Sequence, residues 1–276
     1  MLSNIKSNNP IIKIIGLLLI LIQIISVQAQ PIFNNIIRHA GNVGGKAEFR
    51  RLFKQELIYP ASALENRIDG KVAWSFLVKK DGTISNLSLI LSAGKDLDKE
   101  ALRLIRLMEW LPAINRWGEK LDSQIDFSIV FKSSNFSNLC QKRGYNKIEF
   151  PFTPVDTSFV VHDKVDIAPK FKLRNYTLTE FLSDNLKYPK QAAIKNIQGT
   201  VITSFVIEPS GMVSNISVDQ PVGGGCSEEA VRLVSLTKWT PGIKNSKAVR
   251  TRMILPIGFN YDLKAKDSIN REQRIH

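Results

Sequence analysis

The side chains that most often carry out catalysis or bind metals are scarce and widely separated in this chain. Its three histidines are His39, His162 and His276, and its two cysteines are Cys140 and Cys226. No H-E-x-x-H, C-x-x-C, G-x-S-x-G or phosphate-loop spacing occurs in the 276 residues. The sequence therefore predicts no catalytic residue, no metal site and no cofactor, and it favours a protein that is not an enzyme.

The two cysteines stand in different contexts. Cys140 lies in a polar segment, whereas Cys226 takes the place of Leu97 in a repeat described below, directly before a predicted helix. An apolar residue at that place packs on the first helical turn, and free cysteine is commonly buried. We expect Cys226 to be buried and unpaired. The alternative is a disulfide with Cys140, which an exported chain would allow.

The strongest pattern in the chain is a duplication. Tyr59-Pro60 returns as Tyr188-Pro189, and the offset of 129 residues continues without a gap to a Trp-x-Pro motif. The matching pairs include Gly70 with Gly199, Val72 with Val201, Phe76 with Phe205, Gly82 with Gly211, Ala101 with Ala230, Trp110 with Trp239, and Pro112 with Pro241. After the proline the first copy has one extra residue, so that Phe131 matches Phe259. The chain therefore contains two copies of one domain.

Periodicity predicts the same first elements in each copy. Pro60 and Pro189 suit the first position of a short helix, where a missing N–H costs nothing. Apolar residues then recur at every second position, which is typical of a strand with one buried face. The turns Asp81-Gly82 and Ser210-Gly211 are followed by further alternating apolar residues, and this arrangement predicts a β-hairpin.

A helix and a last strand complete each copy. The helix is predicted to begin at the capping residue Asp98 or Ser227 and to end at Trp110 or Trp239, because the proline two residues later prevents its continuation. We expect both tryptophans to fill the core between helix and sheet. The last strands have apolar residues at alternate positions, namely Ile125, Phe127, Ile129 and Phe131, or Met253, Leu255, Ile257 and Phe259.

The N-terminus has the order of an export signal. Lys6 and Lys13 accompany an apolar run that ends at Val27, and Val27 and Ala29 fit an A-x-A-like cleavage site. We interpret residues 1–29 as a signal peptide, and the alternative is a retained N-terminal anchor in the inner membrane. The formal net charge is +13, but the basic residues are dispersed along the chain. For an exported chain this favours a solvated surface and excludes nucleic acid as the expected partner.

The Tyr-Pro helix start, the G-x-V-x-x-x-F strand, the hairpin glycine, W-x-P and the closing P-I-x-F of the second copy together resemble the TonB C-terminal domain, in the form common in Bacteroidetes. The resemblance implies an α+β fold of two tandem two-layer domains, each a small antiparallel sheet packed by helices. We place these domains at residues 40–133 and 159–264. A linker is expected at 134–158, and a flexible tail is expected at 265–276.

The resemblance also implies a function. In the family the last strand is a sheet edge, and it binds an extended box peptide of an outer-membrane TonB-dependent transporter by strand addition. Carried over to the second copy, the implied peptide-binding residues are Asn185, Arg250, Arg252 and Ile254. The first copy has Glu56, Asp122, Gln124 and Asp126 at such places, so we expect the two copies to differ in the peptides they bind. Alternatively, these edge charges serve only against aggregation.

The expected protein is thus periplasmic and supports energy-coupled transport across the outer membrane. The apolar N-terminal segment contains no histidine for the ExbB–ExbD motor, and no long proline-rich spacer follows it. We therefore expect contact with that motor only if the N-terminus is an uncleaved anchor. The alternative is a structural or interaction module that binds cell wall or other envelope proteins, or in which the two last strands occupy each other.

Overall fold

A computed structural model describes residues 36–173 and 176–260 of the chain. The expected signal segment at 1–29 and the expected tail at 265–276 lie outside the described residues. Each copy of the repeat contains three antiparallel strands with helices packed on one face, and the sheet of the second copy has two further strands. The two-layer α+β fold expected from the sequence is confirmed.

The first domain contains three helices and eight strands. In chain order they are β1 (Ile36–Arg38), β2 (Gly41–Asn42), α1 (Gly45–Glu56), α2 (Ala61–Glu65), β3 (Gly70–Val78), β4 (Ile84–Leu91), α3 (Lys95–Leu107), β5 (Trp110–Leu111), β6 (Ala113–Asn115), β7 (Lys120–Leu121) and β8 (Ser123–Phe131). The main sheet has the order β4-β3-β8, and two small sheets have the orders β1-β6-β7 and β2-β5. The last strand β8 thus lies at an edge.

The segment that the sequence assigns to a linker begins with a helix. α4 (Ser133–Arg143) follows β8 directly, and its Phe136 joins the core of the first domain. Arg143 fixes the end of α4, because its guanidinium donates to the carbonyls of Lys54, Gln55 and Leu57. Much of the linker is therefore an added part of the first domain.

The second domain repeats the main sheet. Its elements are β9 (Val161–His162), α5 (Leu178–Asn185), α6 (Lys190–Ile194), β10 (Gly199–Ile207), β11 (Val213–Gln220), α7 (Cys226–Leu236), β12 (Gly242–Lys244) and β13 (Lys247–Phe259). The strand order is β11-β10-β13-β12. β9 lies outside this order and pairs with β13 in parallel. β13 is longer than β8 because it continues without a break through Arg250, whereas the first domain has a break at Asp122 that separates β7 from β8.

The duplication extends further upstream than the repeated sequence motifs indicate. Asn42 faces Trp110 in the first domain, and Phe171 faces Trp239 in the second. A second pair of bridges, Arg38 with Ile114 and Ile167 with Ile243, keeps the same offset. Structural equivalence therefore begins near residues 36 and 165, although little in the side chains there reveals it.

The hairpin glycines and the Trp-x-Pro motifs form one structural unit in each domain. Gly82 and Gly211 have positive φ, 85° and 81° respectively. A Cβ atom at Gly82 would lie 2.7 Å from the carbonyl oxygen of Trp110, and a Cβ at Gly211 would overlap that of Trp239. Each tryptophan residue is 5% exposed and belongs to its domain core, as the sequence predicts. The recurring motif thus fixes the hairpin turn against the chain that leaves the helix.

Two details of the predicted helices are wrong. The helices end at Leu107 and Leu236, three residues before the tryptophans, because the chain there has already turned into an extended conformation. The residues predicted as caps, Asp98 and Ser227, lie inside the first turn, and glycines occupy the cap positions.

Asp98 and Ser227 hold the loop that leads into the helix instead. The carboxylate of Asp98 accepts hydrogen bonds from the hydroxyl of Ser92 and the backbone N–H of Ala93. In the second domain, the hydroxyl of Ser227 accepts from the backbone N–H of Val222. The two side chains therefore do equivalent work, which is to fix the approach to α3 and α7 rather than to satisfy helical N–H groups.

Candidate functional site

The outer edge of β8 offers free backbone groups along its length. β8 pairs only with β3 in the described part of the chain, with Trp74 opposite Phe127 and Ala73 opposite Ser128. The backbone N–H and C=O groups of successive residues point to opposite sides along a strand. Every second residue of β8 therefore has its N–H and C=O groups directed away from β3. By alignment with β13, whose outward groups are identified below, these residues of β8 are Gln124, Asp126, Ser128 and Val130. Such an edge can accept another strand.

The corresponding edge of β13 is already covered along its first part. A segment that we call the strap, residues 154–162, runs beside β13 and pairs with it in parallel at Val161 and His162. Ala248 donates its N–H to the carbonyl of Pro154 at 2.8 Å and accepts from the N–H of Asp156 at 2.8 Å. The backbone N–H and C=O groups of Ala248 and of every second residue after it therefore point to the outer edge. Those of Ile254 and Gly258 lie beyond the strap and are uncovered.

Proline interrupts the uncovered part of this edge. Pro256 faces Ile202, as Ser128 faces Ala73 in the first domain. Because proline has no N–H and occurs on edge strands where that group would face solvent, the outer edge of β13 lacks a donor that β8 retains. Of the two last strands, β8 therefore presents the more complete edge for pairing.

The implied peptide-binding residue Arg250 is buried and engaged within the chain. Its side chain is 5% exposed and forms an ion pair of 2.9 Å with Glu208, which is 3% exposed. The remaining guanidinium N–H groups donate to the carbonyl oxygens of Phe159 and Leu107. Leu107 belongs to the first domain, so Arg250 joins the two domains through fully buried polar contacts.

Arg252 makes a second contact between the domains. Its guanidinium binds Glu109, which follows α3 of the first domain, and approaches Asp163 at 3.3 Å. The ion pair with Glu109 raises the pKa of Arg252. About a third of the Arg252 side chain is exposed (34%), so this pair lies at the rim of the interface whereas Arg250 lies inside it.

The other two implied residues are placed differently. The side-chain amide of Asn185 donates to the backbone carbonyl of Phe181, and the backbone carbonyl of Asn185 accepts from the guanidinium of Arg232. Ile254 is 61% exposed on the uncovered part of β13. The structure therefore brings Arg250 and Arg252 together at the domain interface and leaves Ile254 alone on the open edge.

An asparagine at a β-bulge completes the interface. Asn215 has φ of 53° at an irregularity in the pairing of β10 with β11. Its side-chain N–H donates to the carbonyl of Leu107 at 2.9 Å, and its oxygen accepts from the N–H of Glu109 at 2.7 Å. It thus satisfies two backbone groups at the end of α3. Arg51 of α1 adds a hydrogen bond of 2.8 Å to the carbonyl of Val213.

The interface brings two carboxylates into one buried region. Burial raises the pKa of Glu56 above its ordinary value of 4.5, and the nearby charge of Glu208 raises it further. Gln55, Arg103 and Arg250 oppose this shift by stabilising the ionised form. The interface is therefore polar and charged, and removing one partner would leave another group buried without compensation.

Within the described ranges, the first domain has no equivalent interface. Lys79 stands where the second domain has Glu208, and Asp122 stands where it has Arg250, so the buried ion pair is replaced by residues of reversed charge. Asp122 is exposed and accepts from the N–H of Lys80, while Asn86, which matches Asn215, is also exposed. The same face of the fold is thus covered in the second domain and open in the first.

The cysteines are free, as the sequence favours. Cys226 is fully buried and Cys140 is partly exposed, and burial raises the pKa of the Cys226 thiol. Within residues 36–173 and 176–260, no group of three or more His, Cys, Asp and Glu side chains is arranged to hold a metal ion. None of the helices described in these ranges is long and apolar enough to span a bilayer.

Tandem two-layer domains with an exposed last strand define a class of protein-interaction fold. The chain matches the family described as the Gram-negative bacterial TonB protein C-terminal, over residues 55–133 and 184–261. These matches cover more than half of the chain, and the chain belongs to this family. The family consists of protein-interaction domains of the cell envelope, which bind proteins such as TonB-dependent transporters. Comparison with curated proteins finds no match.

Proposed function

We propose that the protein recognises extended box peptides of outer-membrane TonB-dependent transporters in the periplasm, and that it supports energy-coupled transport across the outer membrane. The observation that carries this proposal is the open edge of β8, which presents outward backbone groups without a partner strand in the described part of the chain. Strand addition requires such an edge and needs no catalytic side chain.

The second domain takes part through a shorter stretch. The role of Asn185, Arg250, Arg252 and Ile254 in peptide binding stays a prediction. Ile254 is the residue among them that presents free surface beside uncovered backbone, and we propose it as the contact there. A peptide that used Arg250 would first have to release Glu208 and the carbonyl of Leu107, which makes this site conditional on separation of the domains.

The role in transport depends on the N-terminus. A retained anchor would suit a transducer that engages the ExbB–ExbD motor, and a cleaved signal would suit an accessory protein or a competitor for box peptides. The mass of the mature N-terminal peptide decides between these two forms. The mass of a peptide that begins after Ala29 supports the accessory role, and the mass of a peptide that includes the apolar segment supports the transducer.

A titration of the full chain with transporter box peptides tests the proposal. Backbone amide NMR should show shifts centred on Gln124 to Val130, with a weaker response from Ile254 to Gly258. Shifts confined to loops, or no response at millimolar peptide concentration, would contradict strand addition at these edges.

A second candidate function is a structural interaction module. It is favoured by the strap, because a segment of the chain itself already pairs with β13, and by the packing of the first domain on the second. The two last strands do not pair with each other in the described structure, so mutual occupancy of these strands is not the arrangement that joins the copies. If no box peptide binds, contacts with other envelope proteins become the better account.

A further inference from the structure

A basic groove with an aromatic floor lies beside the end of β8. It has a volume of about 740 Å³ and is formed by α1, α4 and the residues that follow β8. Phe49, Phe53 and Leu139 provide apolar surface, and Arg50, Lys54 and Lys142 provide positive charge. Among the described residues that line it, none carries a carboxylate. A groove with these walls suits a ligand that is both apolar and anionic.

The cations of the groove are available for a ligand. Arg50, Lys54 and Lys142 are exposed, and none of the ion pairs in the described ranges involves them. Arg143 differs, because its guanidinium is used to fix α4 and lies over the ring of Phe136 at 5.4 Å. Arg50, Lys54 and Lys142 are therefore not held by an ion pair within the described fold.

The groove is continuous with the β8 edge. The ring of Phe49 meets that of Phe127 edge-on, with centroids 5.0 Å apart, and the ring of Phe53 lies 6.4 Å from that of Phe131. Val130 belongs to the edge and also lines the groove. A strand that paired with β8 would thus place its inward side chains beside Phe49 and Phe53.

We infer that the groove selects the chemistry of the peptide at this edge: it binds an extended segment that carries acidic side chains next to large apolar ones. This inference rests on the proposed strand addition and names the class of peptide. The apolar side chains pack on Phe49 and Phe53, and the carboxylates lie within reach of Arg50, Lys54 and Lys142. Asp122 and Asp126, near the start of β8, disfavour acidic residues at the opposite end of the peptide.

A peptide fits these observations better than an anionic lipid. The apolar floor is bounded on one side by a strand with unpaired backbone N–H and C=O groups. An acyl chain would leave those groups unsatisfied, whereas a peptide backbone pairs with them. Lipid binding is therefore the competing outcome of the experiment.

Fluorescence anisotropy with the full chain tests this inference. The probes are labelled peptides with a seven-residue Val-Thr alternating segment that carries two glutamates, two glutamines or two lysines at one end only, made once with these residues at the N-terminal end and once at the C-terminal end. In the version whose charged end lies beside the groove, we expect the glutamate peptide to bind about fivefold more tightly than the glutamine peptide, since a few exposed ion pairs supply about that factor. The lysine peptide should bind most weakly, and high salt should reduce the difference.

Charge-reversal variants identify the groove as the cause. Lys54→Glu combined with Lys142→Glu should remove the preference for glutamate. The matched control is Lys99→Glu combined with Lys195→Glu, which reverses two exposed lysines elsewhere and has the same net charge. The control should keep the preference, because bulk charge alone does not position the ligand.

The outcomes separate the inference from the proposed function. Equal affinity for all three peptides, abolished by Ser128→Pro, would overturn the inference and support strand addition. A glutamate preference in Ser128→Pro with affinities unchanged from the wild type would support the groove and overturn strand addition at β8. Failure of every peptide to bind, with groove-dependent binding of phosphatidylglycerol vesicles, would overturn both and identify a lipid site.

Discussion

The backbone of Trp239 lies directly on the hairpin glycine Gly211, with the Trp239 N–H donating to the Gly211 carbonyl at 2.9 Å. A side chain at Gly211 would collide with the carbonyl oxygen of Trp239. The equivalent pair in the first domain is Gly82 and Trp110. This contact explains why the glycine turn and the Trp-x-Pro motif are duplicated together.

Gly211→Ala should therefore destabilise the protein strongly. The matched control is Gly118→Ala, because Gly118 has the same φ of 81° and open space around it. The control should cost about 1–2 kcal/mol in the free energy of unfolding, which is the penalty of a left-handed residue with a Cβ. Gly211→Ala should cost clearly more, with each loss measured by urea unfolding in the transition of the domain that carries the substitution. Equal losses would mean that the contact with Trp239 adjusts at no cost.

Arg250→Met should weaken the packing of the two domains more than Arg252→Met. Removing Arg250 leaves Glu208 buried without its cation, a loss of about 3–5 kcal/mol, whereas Arg252 is partly exposed and its pair contributes about 1 kcal/mol or less. Urea unfolding measures both effects.

A double variant separates charge from packing. Glu208→Gln combined with Arg250→Met removes both charges and should recover much of the loss, because no buried ion is left alone. A double variant as unstable as Arg250→Met would show that the loss comes from contacts of Arg250 with the backbone of Leu107 and Phe159.

The free energy of unfolding of the Glu56→Gln variant, relative to that of the wild type, should increase as pH rises. The raised pKa means that the folded protein holds the Glu56 proton more tightly than the unfolded chain. The wild-type protein therefore loses stability as pH rises above about 4.5 toward the folded pKa, and the variant lacks this loss.

Thermal unfolding of the two proteins across this pH range measures the difference, in which the titration of groups that do not interact with Glu56 cancels. The difference should be smallest in acid and should level off above the folded pKa. A wild-type protein that gains stability over Glu56→Gln with rising pH would show that Arg103 and Arg250 dominate instead.

The two cysteines should react at very different rates. Cys140 is partly exposed, and Cys226 is fully buried with a raised thiol pKa. A thiol reagent should therefore modify one cysteine in the folded protein and both in urea. Rapid native modification of both would contradict the placement of Cys226 in the core of the second domain.

The sequence predicts well those features that depend on period and duplication. The strands around Phe76 and Phe205, the hairpin glycines and the buried tryptophans follow from alternation and from turn chemistry, and each has two examples in one chain. The caps at Asp98 and Ser227 are wrong because an oxygen-bearing side chain near a helix start is typical of a cap. Here that oxygen instead accepts a hydrogen bond from the loop that precedes the helix.

Other features depend on contacts that no local pattern reports. α4 and the strap have no described counterpart in the other copy, so comparison of the repeats does not reveal them. Arg250 binds the carbonyl of Leu107, which lies 143 residues away in the chain. A signal was present in the exchange of Glu208 and Arg250 for Lys79 and Asp122, because paired charge reversal at equivalent positions indicates a contact in one copy.

The outward backbone of β8 can be tested with one substitution. Ser128→Pro removes a single outward N–H, and Pro256 at the equivalent place in β13 shows that the fold accepts proline there. Ser128→Ala is the control that changes the side chain and keeps the N–H. Unfolding curves should show that both variants remain folded.

The most direct test of peptide recognition by strand addition is the affinity of a transporter box peptide for these variants. The account predicts that Ser128→Ala binds like the wild type and that Ser128→Pro binds about tenfold or more weakly, because a backbone hydrogen bond is lost and the ring obstructs the incoming strand. An unchanged affinity in folded Ser128→Pro would contradict strand addition at β8.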